Sequence, residues 1–168
     1  MDGLTVAERR FDSTGAEIYT MRYYFDESNA PIGIGIQYPS YPDPYCDSYY
    51  FAKNLQGDII AIYTNDNGNP DLVATYEYDA WGRPLGVYNS AGAEIPQNAY
   101  HVGLLNPFRY RGYRYDADTG FYYLQSRYYD PVNATFDGIA LSKYKDIKAI
   151  AIAAPALGPS FLLVASKK

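Results

Sequence analysis

The chain is poor in the residues on which most enzymes and metal sites depend. It has 168 residues but one cysteine, Cys46, and one histidine, His101, which excludes an internal disulfide and any metal site with two histidines. The acidic neighbours of Cys46, Asp43 and Asp47, are the opposite of the cationic surroundings that activate a thiol. The sequence therefore predicts no metal, no cofactor and no catalytic residue.

The chain also lacks an excess of positive charge and an apolar N-terminal run. Asp and Glu number 19 against 14 Lys and Arg, so the formal net charge is −5 and the composition offers no basic patch for nucleic acid. The first residues, MDGLTVAERRF, contain no apolar stretch of the kind that a secretory signal needs. We therefore predict no nucleic-acid partner and no signal peptide in this chain.

Aromatic residues, by contrast, are abundant. They make up 17% of the chain and include 21 tyrosines, which favours strands over helices. In residues 106–131, NPFRYRGYRYDADTGFYYLQSRYYDP, aromatic and polar residues alternate on both sides of the turn sequence DADTG at 116–120. This pattern predicts two strands, 110–115 and 121–127, joined by a turn in which Gly120 has a positive φ.

An internal repeat extends this pattern along the chain. The segments RYYFDESNAPIG, TYEYDAWGRPLG, GYRYDADTGFYY and SRYYDPVNATFD each place aromatic residues before an Asp and a turn. A carboxylate at that point can accept backbone N–H groups of the turn. The predicted structural turn residues are Asp26, Asp79, Asp116, Gly120 and Asp130. Because one strand pair cannot bury its apolar face alone, the units should stack side by side into a long antiparallel sheet of an all-β fold.

Two glycines leave one face of a further predicted strand bare. Gly33 and Gly35 alternate with isoleucines in residues 32–36. A strand face without side chains permits the close approach of another strand or of an aromatic ring. We therefore predict such a contact at these two glycines.

Three stretches of the chain resemble a known family. RYRGYRYDADTGFYYLQSRYYDP, YYFAKNLQGDIIAIY and YEYDAWGRPL are similar to the core of the RHS (rearrangement hotspot) or YD-repeat family, which includes bacterial polymorphic toxins, wall-associated proteins and animal teneurins. The resemblance implies divergent repeat strands and a proline-rich loop in residues 1–48, a repeat-associated core in 49–132, and a variable apolar tail in 133–168. It also implies a sheet that spirals into a hollow shell, and a secreted or cell-surface location.

The tail differs in composition from the rest of the chain. Residues 133–168 are poor in aromatic residues and rich in alanine. Ser142 is a suitable N-cap for a short helix over residues 143–154, which Pro155 would end. Lys148, two prolines and a glycine interrupt the apolar run, whereas a membrane-spanning helix needs about 20 predominantly apolar residues. Contact between the tail and a membrane is left open.

Two motifs suggest chemistry, and each has a simpler explanation. The triplet DTG at 118–120 matches the active-site sequence of aspartic proteases, but that mechanism needs two paired carboxylates and the chain has no second triplet. Four arginines are interleaved with tyrosines, as in some surfaces that stack on nucleic-acid bases. They are Arg109, Arg111, Arg114 and Arg127. The acidic net charge favours their stacking on rings and pairing with turn aspartates within the protein.

The resemblance implies one reaction, and the sequence departs from it. In family members that carry a toxin, a Gly-Arg-Phe segment and an Asp-Pro-x-Gly-Leu motif follow the core, and an aspartate-dependent self-cleavage releases the toxin. Here the core is followed by VNATFDG at 132–138, with no Arg before Phe136 and no later motif of that kind. Self-cleavage is therefore not expected, and the chain is predicted not to be an enzyme.

Two functional hypotheses follow. The first is a non-enzymatic structural fragment of a repeat shell that serves encapsulation or acts as a cell-surface scaffold. Its expected partners are other YD-repeat segments or a toxin cargo in a longer parent protein, with carbohydrate or cell-surface contact as a further option. The alternative is an effector of the same family whose short C-terminal tail is a toxic or membrane-active segment.

Overall fold

Strands dominate the part of the chain that the structure describes. The computed structural model describes residues 5–42, 45–66, 68–97, 99–124, 126–137 and 162–166. Its strands are β1 (Thr5–Phe11), β2 (Glu17–Phe25), β3 (Pro31–Gln37), β4 (Asp47–Lys53), β5 (Ile59–Asp66), β6 (Asn69–Tyr78), β7 (Pro84–Asn89), β8 (Arg114–Asp116), β9 (Phe121–Tyr123), β10 (Tyr128–Asp130), β11 (Thr135–Asp137) and β12 (Leu162–Ser166). A short helix α1 (Val102–Leu105) and a 3₁₀ turn (Tyr110–Gly112) lie between β7 and β8.

The strands form two antiparallel sheets. The larger, the main sheet, has eight strands in the order β12-β1-β2-β3-β4-β5-β6-β7, and the smaller has four in the order β11-β10-β9-β8. Apart from β12, each strand of either sheet pairs with its neighbour in the chain. The all-β antiparallel fold is therefore confirmed.

One turn design recurs along the main sheet. The side-chain Oδ1 atom of the first residue of each turn accepts the backbone N–H groups of the second and fourth residues after it. The third residue after it has a positive φ. The turns begin at Asp12, Asp26, Asn54, Asp79 and Asn89. The residues with positive φ are Gly15, Asn29, Gly57, Gly82 and Gly92. A three-residue loop closed by a left-handed residue is a common way to join two antiparallel strands.

One face of the main sheet is covered by the segment that follows β7. The core beneath it contains Ile34, Ile62 and Ala74, none of which is exposed to solvent. Phe108 packs against two strands, since its ring lies 5.1 Å from the ring of Tyr23 and 5.8 Å from that of Phe25, both in β2, and 6.4 Å from that of Phe51 in β4. The segment 95–108 thus closes the core that the alternating strands leave open.

An aromatic ring covers the two glycines of β3, as predicted. A Cβ atom on Gly33 would lie 3.5 Å from Tyr24 Cδ2, and one on Gly35 would lie 3.1 Å from Tyr24 Cζ and clash with the Tyr24 hydroxyl. The bare strand face is therefore filled by a ring from the neighbouring strand β2.

Three features of the predicted fold are wrong, and one is the strand expected over residues 121–127, of which only Phe121–Tyr123 is a strand among the described residues. A single long sheet was expected, but the chain leaves the main sheet after β7 and begins a second sheet at β8. A strand was expected over residues 110–115, but Arg111 and Gly112 have positive φ values of 56° and 68°, so the chain turns there and only Arg114–Asp116 is extended. The turn lets the Arg109 carbonyl accept the Ile59 N–H at 3.2 Å, which ties this segment to β5.

Most of the tail lies outside the described residues. Ser142, Pro155 and the predicted helix over 143–154 belong to that part. The described strand Leu162–Ser166 pairs with β1 from Arg10↔Leu162 to Thr5↔Ser166 and forms one edge of the main sheet. Within the part of the chain that the structure describes, no helix is long and apolar enough to cross a membrane.

Candidate functional site

Two buried tyrosines join the small sheet to the main sheet. The hydroxyl of Tyr122, which is completely buried, donates to the Gly82 carbonyl at 2.8 Å, and that of Tyr129 donates to the Trp81 carbonyl at 2.8 Å. Both acceptors lie in the turn between β6 and β7. This turn is therefore the point at which the small sheet is fixed against the main one, and burial raises the pKa of Tyr122, so the phenol stays neutral.

A buried arginine organises the segment between the sheets. Arg109 Nε donates to the Asn106 carbonyl at 3.1 Å, and its guanidinium lies 4.4 Å from the ring centroid of Tyr76. Asn106 is 1% exposed and donates from Nδ2 to the Tyr76 hydroxyl at 3.2 Å, while that hydroxyl donates to the Gly103 carbonyl at 2.8 Å. Every polar group here has a partner within the protein, so the cluster holds the covering segment in place.

A carboxylate, a phenol and a guanidinium meet beneath β1. Tyr23 Oη donates to Glu8 Oε2 and Arg114 donates from an Nη atom to Glu8 Oε1, each at 2.5 Å. Glu8 is 8% exposed and Tyr23 is 5% exposed. Burial raises the pKa of Tyr23 above its ordinary value. Both carboxylate oxygens are engaged, so this cluster, the Glu8–Arg114 clip, connects β1 to the small sheet and leaves no oxygen free for a substrate.

A groove of about 390 Å³ opens where three strand ends meet. Its walls come from residues 54–60, from residues 76–85 and from Tyr110. The turns between β4 and β5 and between β6 and β7 form two of these walls. Concave sites with a few polar groups are where ligands bind most often, so this groove is the candidate binding site among the described residues.

The wall at Tyr110 is held by a buried carboxylate. Asp58, which is 6% exposed, accepts the Arg111 backbone N–H at 2.9 Å and the Asn54 Nδ2 amide at 2.6 Å. These bonds hold Arg111 in the left-handed region, at φ 56°, which is uncommon for a residue other than glycine. The ring of Tyr110 lies against Gly82, where a Cβ atom would come within 2.8 Å of Tyr110 Cε1. The groove is thus formed by contacts within the protein before any ligand arrives.

Each of the predicted turn aspartates accepts backbone N–H groups of the turn that follows it. Asp26 Oδ1 accepts the Ser28 and Ala30 N–H groups at 2.9 Å, and Asp79 Oδ1 accepts those of Trp81 and Arg83 at 2.9 Å.

The small sheet has two more such aspartates. Asp116 Oδ1 accepts the N–H groups of Asp118 at 3.0 Å and Thr119 at 3.4 Å, and Asp130 Oδ1 accepts that of Val132 at 2.8 Å. Gly120 has φ 76°. The structural role of these residues stays a prediction, for which substitutions are proposed below.

The other candidate residues are placed where they have structural partners. Asp118 is exposed in the turn after β8, and the Nδ1 atom of His101 accepts the Gly103 N–H at 3.0 Å as the N-cap of α1. Partial burial lowers the pKa of His101. Cys46 Sγ lies 3.6 Å from the Tyr24 hydroxyl. No group of three His, Cys, Asp or Glu side chains that could hold a metal ion occurs among the described residues.

The arginines between the tyrosines stack on rings within the protein. The guanidinium carbon lies 4.4–5.7 Å from a ring centroid in the pairs Arg109 on Tyr76, Arg111 on Tyr110, Arg114 on Tyr23 and Arg127 on Phe136. Arg111 Nε also lies 4.0 Å from Asp58 Oδ1, and Arg114 pairs with Glu8. Each of these four side chains therefore has a partner within the protein.

Sequence reasoning missed several residues of this region. Asn54 and Asn89 begin turns of the same design as Asp26 and Asp79, and the signal that finds them is an Asp or Asn three residues before a glycine. Glu8 gave no such signal, because its partner Arg114 lies 106 residues away.

Comparison with known proteins identifies similar segments in much longer ones. No family model matches the chain. The chain is 43% identical over 88 residues to tRNA nuclease WapA of Bacillus subtilis strain 168, and 43% identical over 88 residues to tRNA3(Ser)-specific nuclease WapA of Bacillus spizizenii. Each match covers 52% of the chain and 3% of the relative. A match of 37% over 60 residues to the putative uncharacterized protein YlbH of Escherichia coli K12 covers 36% of the chain and 21% of that protein.

These findings correct the functional predictions. The assignment to the RHS and YD-repeat family is contradicted, since no family model matches and the relatives are named as tRNA nucleases. The same names contradict the predictions of a purely structural, non-enzymatic protein and of no nucleic-acid partner. Those predictions rested on the composition and charge of a chain whose match spans about 3% of the length of these relatives. The alternative hypothesis, an effector, agrees better with them. Over about half its length, the chain is similar to bacterial proteins named as nucleases that act on tRNA.

Proposed function

We propose that this chain is part of a toxin-type protein that acts enzymatically on tRNA. The observation that carries the proposal is the identity of 43% over 88 residues to a protein named as a tRNA nuclease. Because the match covers 3% of that relative, the activity and the tRNA substrate are proposed here for the whole protein. A location at or beyond the surface of a bacterial cell is part of the same proposal.

Within such a protein, we assign the described residues to the part that carries and positions the nuclease. RNA cleavage without a metal needs an acid and a base that can both reach the reacting oxygens. Among the described residues, Glu8 is buried with both oxygens engaged, and the Nδ1 atom of His101 accepts a backbone N–H. We place the groups that cut RNA outside the described residues.

The division of the chain is part of this proposal. Residues 1–48 and 49–132 hold the strands β1–β10 of the two sheets, and residues 133–168 add β11 and β12. In the described part, β3 and β4 pair across position 48, so the first two parts fold as one sheet. In residues 133–168, β11 is the edge strand of the small sheet.

Cleavage assays on defined RNA test the proposal. The chain, expressed together with the sequence that adjoins it in its own gene, should cleave purified tRNA and leave 5S ribosomal RNA and duplex DNA intact on denaturing gels. The 168-residue chain alone should leave tRNA intact. If the longer protein leaves tRNA uncut, the proposed activity is wrong.

A second outcome concerns the place of the chemistry. If the chain alone cleaves tRNA, the cutting groups lie within its 168 residues and not in the adjoining sequence. Glu8→Gln would then be the first variant to compare, because Glu8 is the buried carboxylate that contacts both a phenol and a guanidinium. Loss of cleavage in that variant, with an unchanged circular dichroism spectrum, would place the reaction at the Glu8–Arg114 clip.

A further inference from the structure

The groove at the strand ends is bordered by apolar side chains that the fold leaves in solvent. Ile60 and Leu85 line it and are 39% and 52% exposed. Leu55 and Trp81, which are next in sequence to lining residues, are exposed at the tips of the two turns. Exposed apolar residues that cluster beside a groove and have a polar rim mark a binding surface. Tryptophan and tyrosine at such a place are typical anchors of an interface.

The charge of the groove is negative. Three carboxylates line it, those of Asp58, Glu77 and Asp79, and no Lys or Arg is among its lining residues. Asp58 is committed to Arg111 and Asn54, but Glu77 is exposed and accepts a hydrogen bond from the Tyr88 hydroxyl at 3.2 Å. A surface of this sign repels phosphate groups and attracts cations.

A neighbouring contact places a basic side chain beside an aromatic ring and a carboxylate of the groove. The guanidinium of Arg111 lies 5.3 Å from the ring centroid of Tyr110 and has its Nε 4.0 Å from Asp58 Oδ1. An aromatic face beside a carboxylate is thus already used by a basic side chain of this protein. The groove offers a further carboxylate to a basic side chain, that of the exposed Glu77, whereas the rings of Tyr78 and Tyr110, which also line it, contact each other at 6.2 Å.

We propose that this groove is a docking site for an extended polypeptide segment in which a basic side chain stands between apolar ones. The ammonium or guanidinium group binds Glu77, and the apolar neighbours cover Leu85, Ile60 and Trp81. The partner is a polypeptide because the exposed apolar residues extend beyond the groove on both turns, over more surface than a small polyamine covers. The groove needs no rearrangement to receive it, because Asp58 and Gly82 already fix the wall at Tyr110.

Fluorescence of the single tryptophan reports on binding directly. Trp81 is the only tryptophan of the chain and is 61% exposed, so covering it shifts its emission to shorter wavelength. The probe is the blocked peptide Leu-Arg-Leu-Arg-Leu, titrated into the full chain at low salt, with calorimetry as a second readout. The controls are Leu-Glu-Leu-Glu-Leu, Gly-Arg-Gly-Arg-Gly, spermine and a single-stranded RNA oligonucleotide. We expect the first peptide to bind more tightly than each control, and we expect its binding to weaken as salt is added.

Two surface variants and one matched control locate the site. Glu77→Gln should lower the affinity for the basic peptide by about two- to fivefold, which is the usual effect of one exposed charge pair. Leu85→Ser should weaken it by about fivefold, since an exposed leucine loses its apolar contact. Glu27→Gln removes an exposed carboxylate in the turn between β2 and β3 and should have no effect. All three side chains are exposed, so the fold is expected to stay intact, and circular dichroism checks this.

Several outcomes would overturn the proposal. They are equal binding of the two charged peptides, unchanged affinity in both Glu77→Gln and Leu85→Ser, tighter binding of spermine or of the RNA oligonucleotide, and self-association of the chain that Leu85→Ser abolishes. In the last case the groove would bind a second copy of this chain. None of these readouts depends on RNA cleavage, so the docking site and the proposed nuclease activity can fail separately.

Discussion

The turns of the two sheets differ by one residue, although the sequence before them is alike. In the main sheet, the residue with positive φ comes three positions after the Asp or Asn that begins the turn, as in Asp79 and Gly82. In the small sheet it comes four positions after, as in Asp116 and Gly120 or Asp130 and Ala134. The position of the left-handed residue, and not the aromatic-Asp motif, therefore sets the length of the loop.

The largest effect is expected for Gly82→Val in the main sheet. Gly82 has φ 85°, and a Cβ atom there would clash with the ring of Tyr110. Backbone strain and overpacking together should lower the free energy of unfolding by roughly 3–5 kcal/mol. Chemical denaturation measures this loss. Gly92→Val is the matched control, because Gly92 has φ 77° but no atom within 4 Å of its Cβ position, and it should lose clearly less. Equal losses would show that contact with Tyr110 is unimportant.

The next effect is expected for Gly120→Val in the small sheet. Gly120 has φ 76°, and the nearest atom to its Cβ position is the Tyr115 hydroxyl oxygen at 3.9 Å, so backbone strain alone should cost about 1–3 kcal/mol. Asp118→Ala is the control in the same turn, and it should be much milder because the Asp118 side chain is exposed. Thermal melts compare the two variants. A Gly120→Val variant as stable as the parent chain would contradict the assigned role of Gly120, and loss of a proteolytic activity in Asp118→Ala would contradict that of Asp118.

A smaller effect is expected from the acidity of two turns in the main sheet. The hydrogen bonds from the Thr14 and Ser28 hydroxyls, with those from the turn N–H groups, lower the pKa values of Asp12 and Asp26 below 3.8. A carboxyl whose pKa is lower in the folded state stabilises the fold above its unfolded pKa and loses that stabilisation as the pH falls through the folded pKa. Melting temperatures should therefore fall below about pH 4. In the double variant Asp12→Asn/Asp26→Asn this fall should be shallower, and an identical pH profile would contradict the role of the two carboxylates.

The smallest effect is expected for Ala134→Gly in the small sheet. Ala134 has φ 52°, a conformation that costs a residue with a Cβ atom about 1–2 kcal/mol. Glycine removes that strain but gives the unfolded chain about 0.4–1 kcal/mol of extra freedom. The net result should be a gain in stability between about 0 and 1.6 kcal/mol. Urea titration can detect it, and a loss of stability would show that the left-handed residue is not strained at this offset.

Local patterns were sufficient to predict much of the main sheet. The strands at Glu17–Phe25 and Pro31–Gln37 follow from aromatic and apolar residues between clear turn sequences, and the ring over Gly33 and Gly35 follows from the bare face between two isoleucine positions. Each of these features depends on residues close in sequence. The side-chain alternation of a strand is then enough to place them.

The parts that were missed depend on partners far apart in the chain. The expected strand over 110–115 is broken at Arg111, which is held in the left-handed region by Asp58, a residue 53 positions earlier. The groove exists because residues 54–60, 76–85 and Tyr110 meet in space. No periodicity within any of these segments indicates that they are in contact. Neither the groove nor the second sheet could therefore be predicted from the sequence.

The Glu8–Arg114 clip has a consequence for the order in which the molecule assembles. Each hairpin of the main sheet closes a short loop, whereas the clip joins residues 106 positions apart. Closing a long loop costs more chain entropy, and contacts distant in sequence slow folding. We therefore expect the local hairpins to form early and the clip to close late, after the small sheet has met β1. Until then the carboxylate of Glu8 remains hydrated, and its withdrawal from water marks a late stage of folding.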